Sequence, residues 1–176
     1  MKTIQNKIKT FCSENLEISL ENLPELHLSL SRTVVLRHHW IDNMVHQVRE
    51  IFNNFPAFQL NLKPTIQIYS NDEETRTFLS ISTEDYNGNI LLDAVKRIDS
   101  CFEEYKLEKY YDPASFHVSL SWTLFSDEKR RKLEDNIQKI NEICERVHLA
   151  SSEEFQEQIQ QIFCKSGNKV FKINLR

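Results

Sequence analysis

The stretch His27-Leu28-Ser29-Leu30-Ser31 returns later in the chain, with one change, as His117-Val118-Ser119-Leu120-Ser121. Both copies alternate apolar and polar residues, which is the period of a β-strand with one buried face. The alternation predicts that the histidine and the serines of each copy share an open face. The residues predicted to face a core are Leu26, Leu28 and Leu30 in the first copy and Phe116, Val118, Leu120 and Trp122 in the second.

This repeated pattern has a chemical interpretation and a structural one. Two imidazoles that face one cleft can cleave a phosphodiester, since one removes a proton from an attacking hydroxyl while the other protonates the leaving oxygen. The structural interpretation is a chance match, because a single histidine in a strand is more often structural than catalytic. His27 and His117 lie 90 positions apart in corresponding contexts. On the pattern alone, both interpretations stay open.

Length and composition limit the class of protein. A chain of 176 residues with 40% hydrophobic content can bury a core, and its length predicts a single domain over residues 1–176. No run of ~18 apolar residues occurs, so no transmembrane helix is predicted. The first residues lack the apolar core of a signal peptide, so we expect an intracellular protein. Only two glycines occur, which argues against glycine-rich phosphate-binding loops.

The cysteines and histidines form no metal or redox motif. The four cysteines are far apart in the sequence, and we expect them to be reduced. The six histidines show no His-x3-His or HExxH spacing, so we expect neither a metal nor another cofactor. The formal net charge is −4. A nucleic-acid ligand would therefore be bound through a local positive patch.

The order of the predicted elements indicates an α+β fold. Predicted helices lie near the N-terminus, from Ile41 to Phe55, from Ile90 to Tyr105, and from a cap at Ser126 with a buried side from Leu133 to Val147. Predicted strands, besides the two repeats, are Phe58–Leu62, Thr65–Tyr69, Thr75–Ser82 and a hairpin of Phe155–Cys164 with Lys169–Leu175, although Gln156–Gln161 could instead be helical. We predict two pseudo-symmetric lobes, each an antiparallel sheet with packed helices, sharing a central cleft lined by the two His-x-Ser strands.

Several further segments carry a resemblance to a known family. They are Val34–Trp40, Thr75–Phe78, Ser115–Leu120 and Cys164–Lys169. Together with the two His-x-Ser motifs, they make the chain resemble the two-histidine phosphoesterase superfamily and, within it, the U6 small nuclear RNA phosphodiesterase family. The resemblance implies a 3′-to-5′ exonuclease that trims an oligouridine tail, with RNA as its partner, no cofactor, no membrane association and a nuclear location.

The same resemblance implies roles for residues of both motifs. His27 and His117 correspond to the catalytic pair, and Ser29 and Ser119 correspond to ligands of the phosphate. On this basis His117 would be the base that deprotonates the 2′-hydroxyl, and His27 the acid that protonates the departing 5′-oxygen. The reverse assignment stays open. The product would end in a 2′,3′-cyclic phosphate, or in a 3′-phosphate if water opens the ring.

Candidate substrate contacts outside the two motifs also follow from the resemblance. A tyrosine six residues before the second histidine is part of the family pattern, and here it is Tyr111. It would stack on the terminal base, with the adjacent Tyr110 as the alternative. Pro113 and Ser115, in the loop that leads to the second motif, are further candidates. Asp72 stands where better-known members carry an uncharged amide, which leaves base preference open.

Two other functions remain alternatives to this one. The first is another two-histidine activity, such as a cyclic phosphodiesterase or a 2′-5′ RNA ligase-like enzyme. The second is an RNA-binding module without catalysis, although intact histidines and serines in both motifs argue against it. We expect a monomer, because the predicted cleft would lie within one chain.

Overall fold

The structure is a computed structural model that describes residues 1–176, and it contains five α-helices and seven β-strands. The helices are α1 Lys2–Leu16, α2 Ile41–Phe52, α3 Gly88–Glu104, α4 Asp127–Asp135 and α5 Ile137–Ala150. The strands are β1 Glu21–Asn22, β2 Phe58–Ser70, β3 Arg76–Thr83, β4 His117–Leu124, β5 Gln156–Ile159, β6 Gln161–Ser166 and β7 Lys169–Asn174. Short 3₁₀ turns occupy His38–Trp40, Asp85–Asn87 and Ser152–Phe155.

The strands form one large sheet and one hairpin. The large sheet has the order β1-β4-β3-β2-β5, and β6 pairs with β7 in a separate two-stranded sheet. The pairs β1–β4, β2–β3, β3–β4 and β6–β7 are all antiparallel. The predicted α+β class with antiparallel sheets is therefore confirmed.

The chain divides into two compact units, each assembled from three stretches of sequence. Unit 1 consists of Met1–Leu28, Asn61–Glu84 and Phe116–Gln156, and unit 2 of Ser29–Leu60, Asp85–Ser115 and Glu157–Arg176. In unit 1 the core side of the sheet packs against α1 and α5; its buried residues include Ile4, Ile8, Cys12, Leu79, Ile81, Val118, Leu120, Ile140, Cys144 and Val147. In unit 2 the core is formed by α2, α3 and β7; its buried residues include Met44, Val48, Phe52, Ala94, Ile98, Phe102 and Ile173. These sets recur every three or four residues on the helices, which places them on one helical face.

The first His-x-Ser stretch is not a strand, contrary to the prediction. Its only pairing is an isolated antiparallel bridge between Leu28 and Val118. The chain bends before the bridge at Pro24-Glu25 and after it at Leu30-Ser31, so too few residues remain extended to form a ladder. The predicted alternation survives nonetheless, since His27 and Ser29 are exposed while the leucines beside them are partly buried.

The second His-x-Ser stretch does begin a strand, but its alternation breaks at Leu120. The β3–β4 register shifts there, so that Leu120 is an extra residue between two paired positions. Beyond such a bulge, each side chain moves to the opposite face of the sheet. Ser121 is consequently buried, and its hydroxyl donates a 2.9 Å hydrogen bond to Asn22 Oδ1. The predictions that Ser121 lies on the open face and that Trp122 faces the core were therefore wrong.

Two predicted strands are one continuous strand, β2. Its register against β3 shifts between Leu62 and Ile66, which is where Lys63 and Pro64 lie. Proline has no N–H to contribute to a ladder, and it is tolerated at such irregularities. The predicted interruption is thus only a change of register.

The predicted helix after Ser126 is two helices, α4 and α5. They are separated at Asn136, whose backbone N–H donates to the Leu133 carbonyl and whose side-chain amide donates to the Lys132 carbonyl. Asparagine side chains compete in this way with regular helix bonds. The predicted buried side is correct for Leu133, Ile140, Cys144 and Val147, while Ile137 is partly buried.

The C-terminal hairpin is confirmed for β6 and β7 only, because the predicted first strand Phe155–Cys164 is divided between β5 of the large sheet and β6 of the hairpin. Its turn is Gly167-Asn168, with Gly167 at φ 58°, a left-handed conformation that glycine adopts without strain. Gln156–Gln161 belongs to β5 and the start of β6, so the helical alternative was wrong.

The four cysteines are free thiols. Burial raises the pKa of Cys12 and of Cys144 to about 12, and it contributes most to the raised pKa of Cys101, about 11. These thiols therefore pack as neutral apolar groups at neutral pH. None of the helices is long and apolar enough to cross a membrane.

Candidate active site

His117 is the first residue of β4 and is held by an aromatic neighbour. Its ring is half-buried and stacks on Tyr69, with 4.0 Å between the ring centroids and 15° between the ring planes. Tyr69 lies on β2, and β3 between the two strands carries the small side chains Ser80 and Ser82, which leave room for the rings to meet. The stack therefore fixes the tilt of the His117 ring.

Tyr69 is itself anchored within β2. Its hydroxyl donates a hydrogen bond to Gln67 Oε1, two residues earlier on the same face of the strand. The sequence pattern did not indicate a role for Tyr69. The alternation of β2 does not show that this ring contacts a residue on β4, two strands away. Only the register of three strands reveals this contact.

Ser119 is oriented by a second serine. Its Oγ lies 2.9 Å from Oγ of Ser80, and Ser80 is fully buried. Each hydroxyl has one proton and two lone pairs, so Ser119 can accept from Ser80 and still donate to a ligand. Ser80 was missed in the sequence analysis, although serines alternating with apolar residues at Ser80-Ile81-Ser82 were a visible signal.

Ser82 adds a further polar atom to this row. It pairs with His117 across the β3–β4 ladder. Its hydroxyl is buried and has no hydrogen-bond partner, which is costly for a buried polar group. The open face of unit 1 therefore carries a line of hydroxyls beside the histidine.

The Leu28–Val118 bridge brings the two motifs together. In an antiparallel pair, the residues on either side of a bridge also face each other, so His27 lies opposite Ser119. His27 is exposed and makes no hydrogen bond, ion pair or ring contact. The exposed His27 thus flanks the strand that carries Ser119, with His117 two residues before Ser119 at the start of β4.

Asp72 lies in the exposed turn that follows β2. The turn is fixed by Asn71, whose side-chain oxygen accepts hydrogen bonds from the backbone N–H groups of Thr75 and Arg76 at 3.0 and 2.8 Å. Asp72 therefore follows Tyr69 by three residues on a defined turn, and its carboxylate is exposed to solvent.

Tyr110 and Tyr111 in unit 2 have different environments. Tyr110 is 9% exposed, its N–H donates to Asp99 Oδ1, and its hydroxyl lies 3.3 Å from the carbonyl oxygens of Ser29 and Ser115. Tyr111 is 42% exposed. Of the two rings, only Tyr111 offers enough surface for a base to stack on. Tyr110 instead holds the backbone next to both motifs.

One face of Tyr111 is covered by a cation. The guanidinium carbon of Arg32 lies 3.9 Å from the ring centroid, and Arg32 also approaches Glu108 at 3.6 Å. Ser115 and Pro113 are exposed in the loop that leads into β4, and the Asp112–Pro113 peptide bond is cis. The sequence pattern did not predict the stacking of Arg32 on Tyr111.

The predicted site residues are distributed over both units. His27, His117, Ser119 and Asp72 lie in unit 1, while Ser29, Tyr111, Pro113 and Ser115 lie in unit 2. Within unit 1, the Leu28–Val118 bridge places His27 next to β4, the strand that carries His117 and Ser119. No group of three or more His, Cys, Asp or Glu side chains is arranged to hold a metal ion.

Comparisons with known proteins identify relatives of this chain. A protein with 36% identity, named U6 snRNA phosphodiesterase 1 from Rattus norvegicus, matches 89% of the chain and 57% of its own length. The protein of the same name from Drosophila melanogaster is 33% identical over 97% of the chain and 64% of its own length. The chain thus spans less than two thirds of these relatives.

Among solved structures, that of Kluyveromyces marxianus Usb1 has a TM-score of 0.72, with 17% identity, and covers 99% of this chain and 91% of that one. The same protein solved with uridine monophosphate gives a TM-score of 0.71. A family model described as "HVSL: Uncharacterised conserved protein" matches residues 1–174, and its four letters spell residues 117–120 of this chain. The resemblance to U6 snRNA phosphodiesterases expected from the motifs is confirmed, and the chain belongs to the HVSL family.

Proposed function

We propose that this chain is a metal-independent 3′-to-5′ RNA exonuclease that trims the 3′ oligouridine tail of U6 snRNA. The 2′-hydroxyl of the penultimate nucleotide would attack the last phosphodiester. The shortened RNA would end in a 2′,3′-cyclic phosphate, or in a 3′-phosphate after hydrolysis of the ring. A nuclear location and action as a monomer are part of the same proposal.

The observation that carries this proposal is the antiparallel bridge between Leu28 and Val118. It sets the histidine of one motif beside the serine of the other, on the sheet face that also holds His117. A cleavage with an internal nucleophile needs one base, one acid and a hydrogen-bond donor for the phosphate. His27, His117 and Ser119 supply these three groups.

The named relatives support the choice of substrate. Proteins called U6 snRNA phosphodiesterase 1 are 33–36% identical to this chain, and a protein of similar fold has been solved with uridine monophosphate. Because the chain spans 57–64% of those relatives, their activity is proposed for it and not taken as given.

The chemistry would proceed in one displacement. His117 takes the proton from the 2′-hydroxyl, the O2′–P bond forms, and the P–O5′ bond breaks. His27 delivers its proton to the departing O5′, so that a terminal uridine leaves with a free 5′-hydroxyl. Ser119 donates a hydrogen bond to a non-bridging oxygen as charge develops there, and Ser29 does the same from the first motif. With the opposite protonation states, the two histidines would exchange roles.

Recognition of the terminal nucleotide is assigned to the loop before β4. The base would stack on the face of Tyr111 that Arg32 leaves open, since stacking on an exposed aromatic ring tolerates any base. Pro113 and Ser115 would contact the same nucleotide. Asp72, on the turn after Tyr69, would then influence base preference through its charge.

The finer architecture belongs to the same proposal. We propose that two pseudo-symmetric lobes share a cleft lined by the two His-x-Ser segments. The repeat of the pentapeptide supports this arrangement.

The test is trimming of a uridine-tailed RNA in excess EDTA, followed on a sequencing gel. The expected result is a ladder of one-nucleotide steps from the 3′ end, with no ladder for the His117→Ala variant. Activity on small cyclic nucleotides or tRNA ends without trimming would instead favour the related two-histidine activities. Binding of the RNA without any turnover would favour a binding module.

A further inference from the structure

One face of the β6–β7 hairpin is exposed along its whole length. Opposite residues of an antiparallel pair share a face, and the register pairs Gln161 with Asn174, Phe163 with Lys172, and Lys165 with Val170. All six residues are exposed, with Phe163 at 55% and Val170 at 53%. The other face carries Ile162 and Ile173, which pack into the core of unit 2. The hairpin is therefore fixed on one side and open on the other.

The hairpin carries positive charge and has no acidic residue of its own. Between Gln161 and Asn174 there are three lysines and no acidic residue, whereas the remaining 162 residues hold all 26 acidic residues against 19 lysines and arginines. None of the three lysines forms an ion pair. In a chain of net charge −4, this is the local positive patch that a nucleic acid would require.

The exposed face combines cations with a ring and two amides. The Lys172 ammonium lies 5.9 Å from the Phe163 ring centroid, and the Gln161 amide donates to Asn174 Oδ1 at 2.9 Å. Lys165 follows two residues after Phe163, about 6.6 Å along the strand. That distance is comparable to the spacing of successive phosphates in an extended single strand. The aromatic ring can stack a base while the lysines contact the phosphates on either side.

We propose that this face of the hairpin binds single-stranded RNA, as a contact for nucleotides on the 5′ side of those that react. Phe163 stacks on a base, and Lys165 and Lys172 neutralise neighbouring phosphates. An RNA strand is complementary to this face in both charge and shape, because its phosphates can contact the lysines while a base stacks on the exposed Phe163 ring. A mainly acidic partner protein would match the lysines but has no base to stack on the ring. The inference rests on the proposed function only for the identity of the RNA.

The test measures binding to the full chain of a fluorescein-labelled twelve-nucleotide oligouridine with a 2′-deoxy penultimate residue, so that no cleavage is needed for the readout. Affinity is measured by anisotropy at several salt concentrations. The double variant Lys165→Gln/Lys172→Gln should bind more weakly. The plot of the logarithm of the binding constant against the logarithm of the salt concentration should also be less steep by about 1.4, since each phosphate contact on a single strand contributes about 0.7 to that slope. The control is Lys169→Gln, which removes one lysine charge from the opposite face of the hairpin and should leave the slope unchanged.

The ring is tested by a second pair of variants. Phe163→Ala should weaken binding about fivefold or more, the usual cost of losing one stacked base, and Phe163→Trp should restore it. All four side chains are exposed, so the variants should keep the melting temperature of the parent. A double lysine variant with the parent's affinity and slope would overturn the proposal, as would a parent that does not bind the oligouridine.

The outcome is separable from that of the proposed function. If the parent trims RNA but the hairpin variants bind as the parent does, the hairpin is not an RNA-binding surface and the proposed exonuclease activity is retained. If the parent trims no RNA but the hairpin variants bind RNA more weakly and with less dependence on salt, the proposed exonuclease activity is rejected and the hairpin is retained as an RNA-binding surface.

Discussion

The two His-x-Ser stretches have nearly the same sequence and unequal structural support. The second begins β4, where Ser119 bonds to the buried Ser80 and His117 stacks on Tyr69. The first pairs only at Leu28, and its histidine makes no hydrogen bond, ion pair or ring contact. Local alternation thus determines which side chains share a face, while neighbouring strands determine how firmly each is held. We infer a fixed group at the second motif and an adaptable one at the first.

The largest expected effect is loss of either histidine, because each would supply a proton-transfer step in the proposed mechanism. His27→Ala and His117→Ala should each lower turnover of a uridine-tailed RNA by ~10²-fold or more, although their structural support differs. His46→Ala, an exposed histidine on α2, is the control and should keep the activity of the parent. A loss below tenfold for His27→Ala would show that the less supported motif is not part of the reaction.

The next effect concerns recognition of the terminal nucleotide in unit 2. Tyr111→Ala should weaken its binding by roughly 1–3 kcal/mol, the usual contribution of base stacking. Tyr86→Ala removes another exposed tyrosine of the same unit and should have no effect. Titration calorimetry with uridine monophosphate measures both. Equal binding by the parent and the Tyr111 variant would contradict the stacking role.

A smaller effect tests why His117 is fixed and His27 is not. Tyr69→Ala removes an aromatic contact of about 0.5–1.5 kcal/mol, so turnover should fall by up to about tenfold at unchanged KM. Tyr69→Phe keeps the ring and should keep the turnover. If both variants lose activity equally, the hydroxyl bond to Gln67 matters and the stack does not.

The smallest effect tests how Ser119 is oriented. Ser80→Ala removes a hydrogen bond of roughly 0.5–1.5 kcal/mol, so turnover should fall by only a few-fold. In the double variant with Ser119→Ala, the Ser80 change should cost little more, because the two serines act as one unit. Single-turnover rates of the parent, the two single variants and the double variant give the coupling energy between the two serines. Fully additive losses would mean that Ser80 acts elsewhere.

The sequence was sufficient for much of the fold. Spacing of three and four residues predicted α2 and α3, and the glycine at 167 predicted the C-terminal turn. The alternation also predicted the exposed side of His27 and the start of β4. These features depend on local patterns, which a single sequence carries.

The remaining features depend on pairing between distant strands. The bulge at Leu120 reversed the faces of Ser121 and Trp122, yet nothing in the pentapeptide marks it. The contact between Tyr69 and His117 depends on the registers of β2, β3 and β4 together, one of which shifts near Pro64. A residue such as Tyr69 could therefore not be selected before the sheet was known.

The central claim is that the substrate's own 2′-hydroxyl is the nucleophile activated between His27 and His117. The most direct test compares two RNAs under single-turnover conditions in excess EDTA, identical except for a 2′-deoxy sugar at the penultimate position. Our account predicts that the all-ribose RNA loses its terminal uridine and that the deoxy RNA, bound equally well, is not cut. Trimming of both RNAs at the same rate would contradict it.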